Sequence, residues 1–136
     1  MTARTRLPGG AAETRGRATR TALLDAAEQL FAERGYAGAS LRAITEAAAA
    51  NLGAVNYHFG SKEGLLWAVI SRRVSPVNRE RLRLLAECRR AADGGPPDVE
   101  AVLRAFVTPV FALRAGGGVN SFVRLAGRMY SEPLPQ

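Results

Sequence analysis

Apolar residues recur along this chain at spacings of three and four, and no stretch alternates with a period of two. Leu23, Ala26, Ala27, Leu30 and Phe31 mark a buried stripe on a first helix that Thr19 is placed to cap, Arg20 to open and Gly35 to end. Ser40 is the next capping type, before a short second helix carrying Leu41, Ile44 and the alanines at 47–50. Asn51 caps a third helix, Leu52 to Phe59, and Gly60-Ser61 interrupts before a fourth begins at Lys62. The fourth is long. Its apolar positions run from Leu65, Leu66 and Val69 through Val77 and Leu82 to about Ala92, and Pro76 predicts a kink or break in the middle. Asp93 to Pro97 is a loop, Asp98 to Arg114 a fifth helix with an internal Pro109, and Gly116 to Gly118 a second break. Val119 to Tyr130 makes a sixth helix, with Pro133 and Pro135 after it. The pattern predicts an all-α protein.

Composition adds that the helices can bury a core. Of 136 residues, 47% are hydrophobic and 23% charged, which excludes global disorder. The net charge of +7 points to a polyanionic partner without separating nucleic acid from a membrane surface. That charge is uneven. Residues 1–20 hold five arginines and one glutamate, residues 21–60 are net acidic by two, and residues 61–136 are net basic by five. The first eighteen residues contain Pro8-Gly9-Gly10 and almost no large apolar side chain, so 1–18 reads as a flexible basic arm. Such an arm suits phosphates or a minor groove, and equally a plain solvated terminus. No apolar stretch is long enough to span a bilayer, and the N-terminus has no apolar signal core. Cys88 stands alone, which excludes an intramolecular disulfide and a cysteine metal cluster and favours a reducing, cytoplasmic setting.

Enzyme signatures are lacking. The stretch Phe59-Gly60-Ser61-Lys62-Glu63 has its glycine misplaced for a nucleophile elbow, and no Gly-Lys pair exists for a phosphate loop. Gly116-Gly117-Gly118 has neither the third spaced glycine nor a preceding strand of a dinucleotide site. His58 and Cys88 lie thirty positions apart, no basis for a metal or nucleophile site. No catalytic residue, metal or cofactor is expected.

A scaffold helix followed by two short helices across a tight break has the form of a helix-turn-helix, in which the last helix enters the major groove. The residues make the match specific. Leu24-Asp25-Ala26-Ala27-Glu28-Gln29-Leu30-Phe31-Ala32-Glu33-Arg34-Gly35-Tyr36 resembles the first helix of the TetR family of bacterial transcriptional repressors. Ser40 to Ala48 resembles that family's second helix, and Asn51 to Leu65, with the string Tyr57-His58-Phe59-Gly60-Ser61-Lys62-Glu63, its reading helix and the start of its fourth. The likeness is continuous over about residues 19–70.

The resemblance implies roles by position. Lys62 matches a lysine that binds phosphate at the start of the fourth helix, where free helix N–H groups favour an anion. Tyr57 and His58 match positions that touch the DNA backbone, and their O–H and N–H can donate to phosphate while uncharged. Ser40 meets phosphate and Arg42 reaches a base at the start of the second helix. Leu52, Gly53 and Asn56 lie on the reading face, where Asn56 suits adenine and Leu52 a thymine methyl. Tyr57 also suits packing between the third and fourth helices, and Arg42 a solvated surface. Ile44 and Phe59 are assigned to the core. The family's usual turn glycine is replaced here by Ala49, a cost of about 1 kcal/mol if that residue is left-handed, unless the turn shifts to place Asn51 there.

The implied organisation is a flexible arm (1–18), a helix-turn-helix head (19–64) and a partial helical ligand-binding and dimerisation domain (65–136). Val77-Asn78-Arg79-Glu80-Arg81-Leu82 resembles a branch with fatty-acid-responsive members, implying a small apolar effector such as a fatty acid or acyl derivative. Phe106, Val110, Phe111, Phe122 and Met129 are candidate lining residues, and they suit plain core as well. Arg72, Arg73, Arg79, Arg81, Arg83, Arg89 and Arg90 read as the water-facing side of the fourth helix. The implied partner is double-stranded DNA with a palindromic operator, bound by a homodimer in the bacterial nucleoid. Family members continue past the sixth helix into dimerising helices, so a chain ending at Gln136 is expected to hold an incomplete pocket and no usual dimer interface. The alternative expectation is an interaction module that pairs with a full-length relative and binds no operator alone.

Overall fold

The computed structural model describes residues 9–112 and 119–132, and among these every regular element is a helix. They are α1 (Gly9–Gly38), α2 (Leu41–Ala47), α3 (Leu52–Phe59), α4 (Lys62–Ala91), α5 (Val99–Ala112) and α6 (Val119–Ser131).

The helix starts follow their caps, with one correction. Ser40 accepts from the Ala43 amide at 3.1 Å, Asn51 from Ala54 at 2.9 Å, Ser61 from Gly64 at 3.0 Å and Asp98 from Ala101 at 2.9 Å. Thr19 caps nothing. It lies inside α1, its hydroxyl donating to the Arg15 carbonyl one turn back at 3.1 Å. Residues 9–18, expected as part of a flexible arm, are helical, and residues 1–8 lie outside the described residues. Alanine and arginine are strong helix formers, and extending a formed helix costs far less than nucleating one. Glu13 and Arg17, one turn apart and 2.8 Å from each other, add a surface pair.

Gly35 interrupts α1 as expected, at φ 74 and ψ 171, and a short piece continues to Gly38. Glycine suits this point because its φ is left-handed, and the Glu132 carboxylate at the end of α6 lies against it. The same end of α6 supplies Arg128, whose guanidinium donates to the Ala32 and Glu33 carbonyls at 2.9 Å each. These carbonyls lose their helical partners at the break, so α6 caps α1 from outside. α4 stays helical through Pro76, so the expected break is absent.

The core is shared by five helices. Leu23, Leu24, Ala27 and Phe31 of α1 pack with Ile44 of α2, Val55 of α3, and Leu65, Leu66 and Val69 of α4, closed by Leu125 of α6. A buried charge lies beside it. Glu28 is 3% exposed and holds Arg72 at 2.6 Å and Arg73 at 2.8 Å, while Arg72 also reaches Asp25 at 2.6 Å. These two arginines, expected on the water-facing side of α4, instead tie α4 to α1. Burial works against the Arg72 charge, and the hydrogen bonds it donates to Glu28 and Asp25 outweigh it, raising its pKa above the ordinary arginine value.

Candidate nucleic-acid interface

The three short elements place one helix for presentation. Val55 of α3 is fully buried, while on the opposite side Leu52 is 53% and Tyr57 84% exposed, with Gly53 and Asn56 also in the open. A helix of eight residues keeps such a face only if its inner side is locked, and Val55 and half-buried Phe59 do that against the core. Arg20 of α1 lies over the Phe59 ring at 5.3 Å from its centre.

The turn before α3 does not shift. Ala49 takes the left-handed conformation, φ 50, and Asn51 stays extended at φ −118 as the α3 cap. The alanine therefore carries the strain foreseen for it. After α3, the Phe59 carbonyl presses so closely on Gly64 that a Cβ there would overlap it, which fixes α3 against the first turn of α4.

Leu52, Gly53, Asn56 and Tyr57 lie together on the open side of α3, with His58 half-buried beside them, edge-on to Tyr57 at 4.9 Å. Ser40 and Arg42 are exposed at the first turn of α2, and the Arg42 guanidinium rests on Glu46 at 2.9 Å. Lys62 is held differently. Its Nζ donates to the Tyr36 carbonyl at 2.6 Å and lies 4.4 Å from the centre of that ring, half-buried, so burial lowers its pKa. This lysine ties the start of α4 to the end of α1. Ile44 is fully buried and Phe59 packs on the core.

The five residues expected to line a ligand cavity are not grouped together. Phe122 and Met129 join Ile70, Val74, Ala126 and Tyr130 around a cavity of about 320 Å³ between α4 and α6. Phe106, Val110 and Phe111 lie instead on α5, between 44% and 59% exposed, with Arg81 over the Phe106 ring. Ile70 and Val74 belong to the apolar stripe of α4 that the spacing predicts, but nothing in the sequence marked them as cavity lining, because periodicity does not say which helix faces them. Among the described residues no group of three or more His, Cys, Asp or Glu is placed to hold a metal ion. None of the described helices is long and apolar enough to cross a membrane.

A scaffold helix, two short capped helices across a tight turn and an exposed face on the second of them define a helix-turn-helix DNA-binding domain. Residues 23–69 match the family described as bacterial regulatory proteins, tetR family, and this segment is a DNA-binding domain of that family. It is similar to the HTH-type transcriptional regulator UidR of Escherichia coli (strain K12), 35% identical over 82 residues, 60% of this chain and 38% of that protein. The HTH-type transcriptional repressor AcnR of Corynebacterium glutamicum is 43% identical over 51 residues, 38% of this chain and 27% of that protein. The HTH-type transcriptional regulator BetI of Paraburkholderia phytofirmans is 34% identical over 92 residues, 68% of this chain and 44% of that protein. The matched stretch spans less than half the length of each of these relatives.

Proposed function

We propose that this chain is a sequence-specific DNA-binding transcriptional regulator, a repressor that acts on a palindromic operator in the bacterial nucleoid and answers to a small apolar ligand. The observation that carries the reading is the α3 face, with Leu52, Gly53, Asn56 and Tyr57 open to solvent while Val55 locks the opposite side, within a segment matching the tetR family. On this reading Asn56 pairs with adenine and Leu52 meets a thymine methyl, and the two set specificity. Ser40, Tyr57 and His58 donate to phosphates, Arg42 reaches a base edge, and Lys62 leaves the Tyr36 carbonyl for a phosphate when DNA arrives. The cavity between α4 and α6, lined by apolar side chains and a tyrosine, supports an apolar effector such as a fatty acid or acyl derivative. Both helices that line it also grip α1, through Arg72 and Arg73 on one side and Arg128 on the other, so a ligand that parts them moves the head.

The test selects duplexes from a random library and compares the selected sequence with a scrambled one by gel shift at moderate salt. Tighter binding of the selected duplex is expected, with Asn56→Ala eroding the preference by about 1–3 kcal/mol. Equal binding of both duplexes overturns sequence-specific regulation. A second reading, a module that pairs with a full-length relative, is favoured by the exposed apolar side chains of α5, among them Val99, Leu103 and Phe111. Size-exclusion of the chain alone and mixed with such a relative separates the two, and a monodisperse dimer of the chain alone removes the second.

A further inference from the structure

The helical start of α1 brings side chains with no role so far up to the reading helix. Ala12, Arg15 and Gly16 form one wall of an open groove of about 510 Å³, and Asn51, Gly53 and Tyr57 contribute the other. We propose that this groove seats the sugar–phosphate backbone of duplex DNA beside the reading helix, with Arg15 supplying a sequence-independent phosphate contact. The proposal rests on the DNA-binding reading above.

Three features select this occupant. The walls are small where a backbone must come close. A Cβ added at Gly16 would meet nothing within 4 Å, and Ala12 and Gly53 add little bulk. The lining includes donors of the kind phosphate takes, the Arg15 guanidinium, the Tyr57 hydroxyl and the His58 ring, while Thr19 and Asn51 are engaged with the Arg15 carbonyl and the Ala54 amide, and no carboxylate lines the groove. The charge is also available. Among the described residues Arg15 makes no ion pair, whereas Arg17, two positions on, is held by Glu13 at 2.8 Å. The groove is too open to enclose a small anion.

The experiment measures binding of the full chain to a fluorescein-labelled duplex of mixed sequence, about 30 base pairs long, by anisotropy between about 50 and 200 mM salt. Arg15→Ala should weaken binding about three- to ten-fold and flatten the slope of log K against log salt by about 0.9, one phosphate contact. Arg17→Ala, the same charge change on the same helix, should give less than half that effect. Gly16→Glu puts a carboxylate into the groove while replacing a poor helix former with a good one, so its expected loss of about ten-fold or more is not unfolding. If the wild-type chain binds while Arg15→Ala matches Arg17→Ala and Gly16→Glu changes nothing, the groove takes no backbone and the DNA-binding reading survives. If the wild-type chain binds no duplex at all, both fall together.

Discussion

Phe31 and Phe106 are the same side chain on two apolar helix faces of this protein. The first is fully buried in the core cluster, and the second is half exposed beneath the Arg81 guanidinium. Around Phe31, three successive helices begin with side-chain caps at Ser40, Asn51 and Ser61, so the turns are short and the helices cross close together. Around Phe106, α5 lays only one line of residues, with Ala105 and Pro109 buried, and leaves Leu103, Val107 and Val110 in the open. An apolar stripe thus marks a helix that can be covered, and says nothing of whether it is. In the head the covering is complete within the matched segment and Leu125 of α6.

The largest test of that contrast truncates both rings. Phe31→Ala should cost about 3–5 kcal/mol in urea unfolding, a lost aromatic plus a cavity. Phe106→Ala should cost about 1 kcal/mol or less, since half the ring already meets water. Similar losses at the two positions would mean that α5 is covered in solution. Next comes the charge between the regions. Glu28→Ala leaves two guanidinium groups facing a buried gap and should destabilise by about 2–4 kcal/mol, a range reduced because both arginines are partly solvated. A change under about 1 kcal/mol would show that Arg72 and Arg73 turn readily to water and that α4 is not anchored through Glu28. The smallest effect runs the other way. Ala49→Gly should stabilise by about 1 kcal/mol by relieving a left-handed alanine, read as a higher melting temperature, and an unchanged or lower one would place no strain in the turn.

Much of the fold was legible because its signals are local. Ser40, Asn51 and Ser61 announce helix starts through bonds that span three residues, and Gly35 announces a break through its own φ. The open side of α3 followed from the same periodicity together with the family likeness. What the sequence misplaced were features that depend on distance in space. Arg72 and Arg73 belong to a stretch crowded with arginines, and only their meeting with Glu28, more than forty positions earlier, separates them from solvated neighbours. Lys62 looked free for phosphate, and its contact with the Tyr36 carbonyl joins positions twenty-six apart. Phe122 and Met129 share a cavity while Phe106, Val110 and Phe111 do not, because helix packing decides which stripes face one another.

By itself the sequence determined six helices, the caps at Ser40, Asn51 and Ser61 and the break at Gly35, all properties of bonds and spacings within a turn or two. Tertiary structure decided that α6 closes the head, that Glu28 becomes the buried anchor of α4, and that the start of α1 stands beside the reading helix with Arg15 towards it. The reason is that a helix's own hydrogen bonds fix its course locally, whereas its partner is chosen by which apolar and charged faces fit together across the whole chain.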